Sequence, residues 1–262
     1  MISKFFSIIN LDYKENPEVR RKVKKRLLLI VGLIILTGFI WVGSIFWKNS
    51  RTMQTIVVEG NTEVTSDQIK NLADVKSGTR LMAISPSVIK TRLTRNPKIE
   101  NAIVKVELPK TLKIKIIERT PIARLTGEKV GMMDGRGYGM PEMSKKFFDV
   151  PIISGIKSED FGENWGVTKK KELIQVANFL RKSKENYPIL YYLISEIKVV
   201  DDRTFLVYTQ DGAIPLMMSY DNALEQMVYF KEFWTQIVQV IGADKFKYVD
   251  LRANKVITTK EI

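Results

Sequence analysis

The chain has 262 residues, no cysteine, no histidine and a formal net charge of +13. Those two absences exclude Cys/His zinc sites, thiol nucleophiles, histidine general bases and a Ser-His-Asp triad, and any part outside the cytoplasm must fold without disulfides. Carboxylate or Ser-Lys chemistry is the catalysis left open, and no cofactor is expected.

The first 26 residues hold eight Lys/Arg against three Asp/Glu and end in a basic cluster of Arg20, Arg21, Lys22, Lys24, Lys25 and Arg26. An uncharged apolar run, Leu27 to Trp47, follows directly. At ~1.5 Å per helical residue it reaches ~31 Å, enough to cross a bilayer's hydrocarbon core. The apolar region of a cleaved signal peptide is shorter, ~7–15 residues, and ends in small residues; this run ends Ser-Ile-Phe-Trp-Lys, which favours an uncleaved anchor. Basic residues beside a span stay on the cytoplasmic side, so Arg20 to Arg26 are the expected topogenic residues, and Lys48 and Arg51 are too few to compete. Trp41, Phe46 and Trp47 stand where an aromatic belt meets the outer headgroups. About 215 residues lie beyond Trp47, room for two modest domains. They keep a basic excess suited to anionic headgroups or acidic wall polymers; nucleic acid is in the wrong compartment.

Ile56 to Glu59 reads as a strand ended by Gly60-Asn61, and Thr65 with Gln68 has the form of a capping box opening a helix through about Leu72. Gly78 breaks the chain. Ser85-Pro86 then starts a second helix, Ser87 to Thr94, whose Val88, Ile89 and Leu93 can share one apolar stripe before Asn96-Pro97 stops it. Ala102, Val104, Val106 and Leu108, a Pro109-Lys110 turn, and Leu112, Ile114 and Ile116 alternate as a hairpin. The pattern is β-α-α-β-β, a three-stranded sheet with two helices on one face.

Four stretches of this region, Ile56-Val57-Val58-Glu59-Gly60-Asn61, Leu93 to Pro97, Val106 to Ile114 with its Leu-Pro-Lys-Thr-Leu, and Ile117-Glu118-Arg119-Thr120-Pro121-Ile122-Ala123, together resemble the POTRA domain of the FtsQ/DivIB family of bacterial cell-division proteins. The resemblance implies an α+β protein: an N-terminal transmembrane helix, then a POTRA domain, then a mixed β-sheet domain covered by helices. The boundaries it implies are a cytoplasmic tail at 1–26, the span at 27–47, the POTRA domain at 48–121 and the β domain at 122–262.

Farther along, Lys129 to Met133 reads as a strand entering an Asp134-Gly135 turn. Gly135, Gly137 and Gly139 lack the strand-loop-helix context of a nucleotide site and read as a loop. Val150 to Gly155 is a short strand with a glycine stop, and Thr168 is the expected cap of a helix through about Ser183 with Leu173, Val176, Ala177 and Leu180 on one face. A meander is expected from about Ser195 to Val200, Thr204 to Thr209 and Ala213 to Met218; Asp201 and Asp202, in its first turn, read as a solvated corner rather than a catalytic pair. A helix from about Asp221 to Ile241 carries Ala223, Met227, Phe230, Trp234, Ile237, Val238 and Ile241 on one side and stops at Gly242. Tyr248-Val249-Asp250-Leu251-Arg252 and Val256 to Thr259 are similar to the closing strands of the same family's β domain.

Membership would imply a non-enzymatic scaffold at the division septum, in the inner or plasma membrane, with no small-molecule substrate. Its partners would be two single-span proteins, an FtsB/DivIC-like and an FtsL-like one, the former adding a strand to the last strand here, mapped to Lys255, Val256, Ile257, Thr258 and Thr259. Asn254-Lys255 stands where a glycine often helps the family's final turn, which leaves the register of that acceptor open. Two other classes remain beside this one: an envelope transport or secretion factor, which calls for several POTRA repeats or a barrel, and a carboxylate-dependent enzyme of wall metabolism, which calls for paired acids in a cleft.

Overall fold

One continuous helix, α1 (Pro17–Asn49), opens the computed structural model, which describes residues 17–49, 51–210, 214–253 and 258–261. The helix contains the apolar run and the basic cluster together, because Lys, Arg and Val between Pro17 and Leu27 do nothing to break it. Its Val23–Ile45 stretch is long and apolar enough to span a membrane, and Leu27 to Ile45 are all exposed, as lipid-facing residues are.

The chain divides into two compact units. The anchor unit comprises α1 and the chain up to Thr55, with Lys76–Ser85 and Val106–Leu112; the second takes in Ile56–Val75, Pro86–Lys105 and everything from Lys113 onward.

A three-stranded sheet has the order β1 (Thr55–Glu59), β3 (Thr111–Glu118), β2 (Ile99–Glu107). Helices α2 (Ser66–Ala73) and α3 (Pro86–Leu93) precede the β2–β3 hairpin. The capping box forms as read: Thr65 Oγ1 accepts from the Gln68 N–H at 3.3 Å and Gln68 Oε1 accepts from the Thr65 N–H at 3.0 Å. Ile69, Ile89, Leu93, Ala102, Leu112, Ile114 and Ile116 are buried. Val88 is not; it is 48% exposed, one position around the helix from the buried stripe.

Glu118 and Arg119, at the end of β3, have more specific work. One oxygen of Glu118 accepts from the Thr62, Glu63 and Val64 N–H groups at 2.9 Å each, which fixes the loop between β1 and α2. Arg119 donates from Nε to the Pro97 carbonyl at 3.1 Å and from Nη1 to Asp134 Oδ2 at 2.8 Å, with its guanidinium 3.5 Å over the Tyr138 ring. Glu63 in turn accepts from the Ser144 and Lys145 N–H groups at 3.1 and 2.8 Å. Residues that carry the family resemblance thus tie the small sheet to the first turns of the large one.

Among the described residues the large sheet has ten strands, in the order β13 (Thr258–Glu261), β12 (Phe246–Asp250), β11 (Pro215–Ser219), β10 (Thr204–Thr209), β9 (Ile194–Val199), β7 (Ile152–Ile156), β4 (Pro121–Gly127), β5 (Gly131–Asp134), β6 (Tyr138–Met140) and β8 (Gly166–Val167). Its first strand, β4 (Pro121–Gly127), runs through the motif expected only to close the preceding domain. The strand expected at Lys129 to Met133 is β5 (Gly131–Asp134), which pairs antiparallel with β4 and with β6 (Tyr138–Met140). Asp134 Oδ1 accepts from the Arg136 and Tyr138 N–H groups, so the Asp-Gly turn is held by its own side chain. Gly155 does not stop β7 (Ile152–Ile156); it sits inside the strand at φ +78°, opposite a register shift in β4. Thr168 does not cap the next helix. It is buried, donating to the Asp160 carbonyl and accepting from the Lys170 N–H, and α4 (Lys171–Asn186) begins later, with Lys170 at its cap position.

The expected face of α4 is fully buried at Leu173, Val176, Ala177 and Leu180. A six-residue helix not expected from sequence, α5 (Pro188–Leu193), leads into the meander β9 (Ile194–Val199), β10 (Thr204–Thr209) and β11 (Pro215–Ser219). Then α6 (Ala223–Phe233) runs into a π-turn, Trp234–Val238, and a last helical turn to Ile241. The π-turn rephases the apolar stripe: Ala223, Met227, Phe230, Phe233 and Val238 are buried, whereas Ile237 and Ile241 are 41% and 46% exposed. Gly242, at φ +96°, ends the helix as expected. The helices bury these faces against Phe205, Val207, Leu216, Met218 and Val249 of the sheet.

Candidate functional site

Sheet ends are where a backbone is left to recruit another chain, and the large sheet has two. β8 (Gly166–Val167) offers only two residues. At the other end, β13 (Thr258–Glu261) pairs antiparallel with β12 (Phe246–Asp250), and among the described residues no strand lies on its outer side. Two of the five expected acceptor residues, Thr258 and Thr259, are brought to this edge, opposite Asp250 and Val249. The other three, Lys255, Val256 and Ile257, lie outside the described residues.

The support behind this edge is built from Val249-Asp250-Leu251-Arg252. Val249 and Leu251 are buried, and the Leu251 N–H continues the parallel pairing with β11 by donating to the Met217 carbonyl at 3.0 Å. Asp250 and Arg252 point away from that core and form a fork: Nε to Oδ1 at 2.9 Å and Nη2 to Oδ2 at 2.7 Å. The guanidinium of Arg252 holds the Asp250 carboxyl below the ordinary carboxylate range. Arg252 Nη1 also reaches Thr204 Oγ1 at 3.5 Å, linking the end of β12 to β10. The fork stiffens the chain where it leaves β12.

Nearby, Asp201 accepts from the Arg203 and Thr204 N–H groups at 2.8 and 2.7 Å, and the Arg203 N–H is the main reason its carboxyl is held below its usual range. Its Oδ1 holds the turn, and an ionised, exposed carboxylate of this kind is poorly suited to general-acid work. Burial pushes the Tyr220 and Tyr191 hydroxyls up from their usual range, keeping both as hydrogen-bond donors, to the Asp201 and Ile122 carbonyls respectively.

The residues expected to be topogenic, Arg20, Arg21, Lys22, Lys24, Lys25 and Arg26, all lie in the first turns of α1. Among the described residues the small sheet also ends in unpaired edges, at β1 and at the nine-residue β2, an edge that sequence reasoning did not single out. Its alternating pattern is visible in sequence; its terminal place in the sheet is not, because β3 inserts between β1 and β2.

Two family models divide the chain. Residues 51–119 match the POTRA domain, FtsQ-type, and residues 120–259, more than half of the chain, match the FtsQ/DivIB C-terminal related family. The chain belongs to the FtsQ/DivIB family. Among curated FtsQ/DivIB relatives, the cell division protein FtsQ of Rhodothermus marinus is 27% identical, covering 93% of this chain and 89% of that protein. FtsQ of Salinibacter ruber is 25% identical, covering 89% of this chain and 90% of that protein. Among solved structures, the major extracytoplasmic domain of DivIB from Geobacillus stearothermophilus is 13% identical with a TM-score of 0.33, over 48% of this chain and 98% of that one. This FtsQ/DivIB protein is therefore a cell-division protein with a POTRA domain and, among the described residues, one apolar helix of membrane-spanning length.

Proposed function

We propose that this protein is a non-enzymatic scaffold of the division complex, anchored by α1 with the basic N-terminus in the cytoplasm and enriched at the septum. In this reading, residues 1–26 form the cytoplasmic tail, 27–47 the span, 48–121 the external POTRA domain and 122–262 the β domain. The β domain binds FtsB/DivIC-like and FtsL-like partners, the first by adding a strand to the outer side of β13, with Lys255 to Thr259 as the acceptor. The observation that supports this most is the place of β13: the last strand among the described residues, at the open end of a ten-stranded sheet, backed by β12, whose Phe246 and Val249 are buried. Unpaired backbone groups supply affinity and alternate side chains supply selectivity.

The test is affinity purification from detergent-solubilised native membranes, comparing the full chain with one truncated after Arg252 and with Ile257→Pro, which removes one backbone donor. The expected result is recovery of two small single-span coiled-coil proteins by the full chain and loss of the FtsB/DivIC-like one from both variants. Equal recovery by all three refutes strand addition at β13 and turns attention to the β2 edge.

A further inference from the structure

Three short segments meet in the anchor unit: residues 51–55 just after α1, the loop Lys76–Ser85, and the hairpin turn within Val106–Leu112. They are laced together by backbone. The Leu81 N–H donates to the Arg51 carbonyl at 3.0 Å, the Met53 N–H to Thr79 and the Gly78 N–H to Met53 at 2.8 Å each, and the Gln54 N–H to Lys110 at 2.9 Å. The 3₁₀ turn Leu81–Ala83 packs back against α1 itself.

This lacing ties the 76–85 loop to Arg51, just beyond the anchor, and the 106–112 turn to Gln54, three residues farther on. The spanning stretch ends near Ile45 and α1 continues to Asn49, about 6 Å of further rise, which reaches through the headgroup layer. Trp47 lies in that layer with the Arg51 guanidinium stacked 3.7 Å over its ring. Arg51 follows Asn49 by two residues, a reach of at most about 7 Å, so the loop bonded to it stays at the bilayer surface.

What these loops present there is suited to lipid. Met82 is 60% exposed and Leu108 is 64% exposed, and Lys76, Arg80 and Lys110 are exposed around them. Across 48–55, 76–85 and 106–112 there are five Lys/Arg and one acid, Glu107. Two exposed apolar side chains alone are ordinary on a protein surface. Here they stand on loops bonded to a membrane anchor and in a surround with five basic residues to one acid, the pattern of an interfacial lipid contact.

We propose that the tip formed by loops 76–85 and 106–112 is a second membrane contact, with Met82 and Leu108 set into the headgroup layer beside the anchor and Lys76, Arg80 and Lys110 on anionic lipid. Such a contact would hold the tip at the bilayer rather than leave it on a tether. The inference rests on membrane anchoring by α1, and the test separates the two.

Because the chain has no cysteine, single-cysteine variants Met82→Cys, Leu108→Cys and Gly38→Cys of the full chain can each carry one environment-sensitive fluorophore in lipid nanodiscs. Gly38 lies within the span, and a side chain placed there would meet open space. With a mid-chain spin-labelled lipid, the Gly38 probe should lose most of its emission. With a headgroup spin-labelled lipid in discs containing phosphatidylglycerol, the Met82 and Leu108 probes should lose most of theirs. Adding Lys76→Gln, Arg80→Gln and Lys110→Gln should restore much of it. Quenching at Gly38 but at neither loop position overturns this inference alone; no quenching at Gly38 overturns the anchor and this inference with it. Loop quenching unchanged by the three glutamines or by omission of anionic lipid overturns the charge contribution.

Discussion

Replacing Arg119 should loosen the tie between the small sheet and the large one. Its Nη1 is 2.8 Å from Asp134 Oδ2, and both side chains are about 10% exposed. At that separation and an effective dielectric of ~20 the Coulomb term is about 6 kcal/mol, and desolvating two partly buried ions offsets much of it. A net coupling of about 1.5–3 kcal/mol remains, in the range of a charge-assisted hydrogen bond. Arg119→Ala also loses the bond to the Pro97 carbonyl and the stack on Tyr138, so the whole substitution should cost about 3–5 kcal/mol, a large share of a domain stability of ~5–15.

Asp134→Asn is the informative partner, because the amide oxygen can still accept from the Arg136 and Tyr138 N–H groups and keep the turn. The double-mutant cycle therefore isolates the ion pair from the turn. Urea unfolding of the full chain in detergent, followed by tryptophan fluorescence, gives the four free energies. Arg119→Lys should recover only part of the loss, since a lysine keeps the charge but neither the second bond to the Pro97 carbonyl nor the planar stack on Tyr138. A coupling below about 0.5 kcal/mol, or a lysine variant as stable as the original, would refute the assignment of this residue as the joint.

Asp250→Asn should lower stability by about 1 kcal/mol at neutral pH, discounted for the partial exposure of the fork. Because Arg252 lowers the folded pKa of Asp250, its contribution is complete above the unfolded value of ~3.9 and fades as pH falls through the folded one; the variant's acid limb should therefore be shallower in a pH series of melting curves. Tyr191→Phe removes a buried hydroxyl 2.9 Å from the Ile122 carbonyl, at the bulge in β4, and should cost about 1–2 kcal/mol by urea titration. Gly139→Ala would place a Cβ 2.5 Å from the Phe161 ring and should cost about 1–3 kcal/mol through overpacking, measured the same way.

Periodicity carried most of what was legible beforehand. The stripe of α4, the alternation of Leu112, Ile114 and Ile116, and the bounds of β10 all follow from side chains that must alternate between core and solvent. The failures have a common source in local signals overruled by tertiary context. Thr168 has the chemistry of a cap, yet the Asp160 carbonyl takes its hydroxyl. Gly155 has the chemistry of a stop, yet β7 continues to Ile156, which pairs with Gly127 of β4. Trp234, Ile237 and Ile241 obey a 3.6-residue repeat that the π-turn does not. The glycines at 135, 137 and 139 answer to three different needs: Gly135 lies against Arg181, Gly137 adopts φ +78°, and Gly139 makes room for Phe161 and Trp165.

The same contrast explains why family was easier to read than site. Glu118, Arg119, Asp250 and Arg252 work through side chains whose chemistry is specific: a carboxylate gathering three N–H groups, a guanidinium bridging two segments, a fork closing a strand. Such roles constrain residue identity and leave a pattern in sequence. An edge strand that accepts another strand works through N–H and C=O groups common to every residue but proline. In the proposed acceptor role Thr258 and Thr259 would need only the β-branched character common to every threonine. Location within the sheet, set by pairings formed far away in the chain, is what singles out β13; if β13 is the acceptor proposed above, mutations at the fork should act on partner binding indirectly, by loosening β12, while backbone substitutions in the last strand act on it directly.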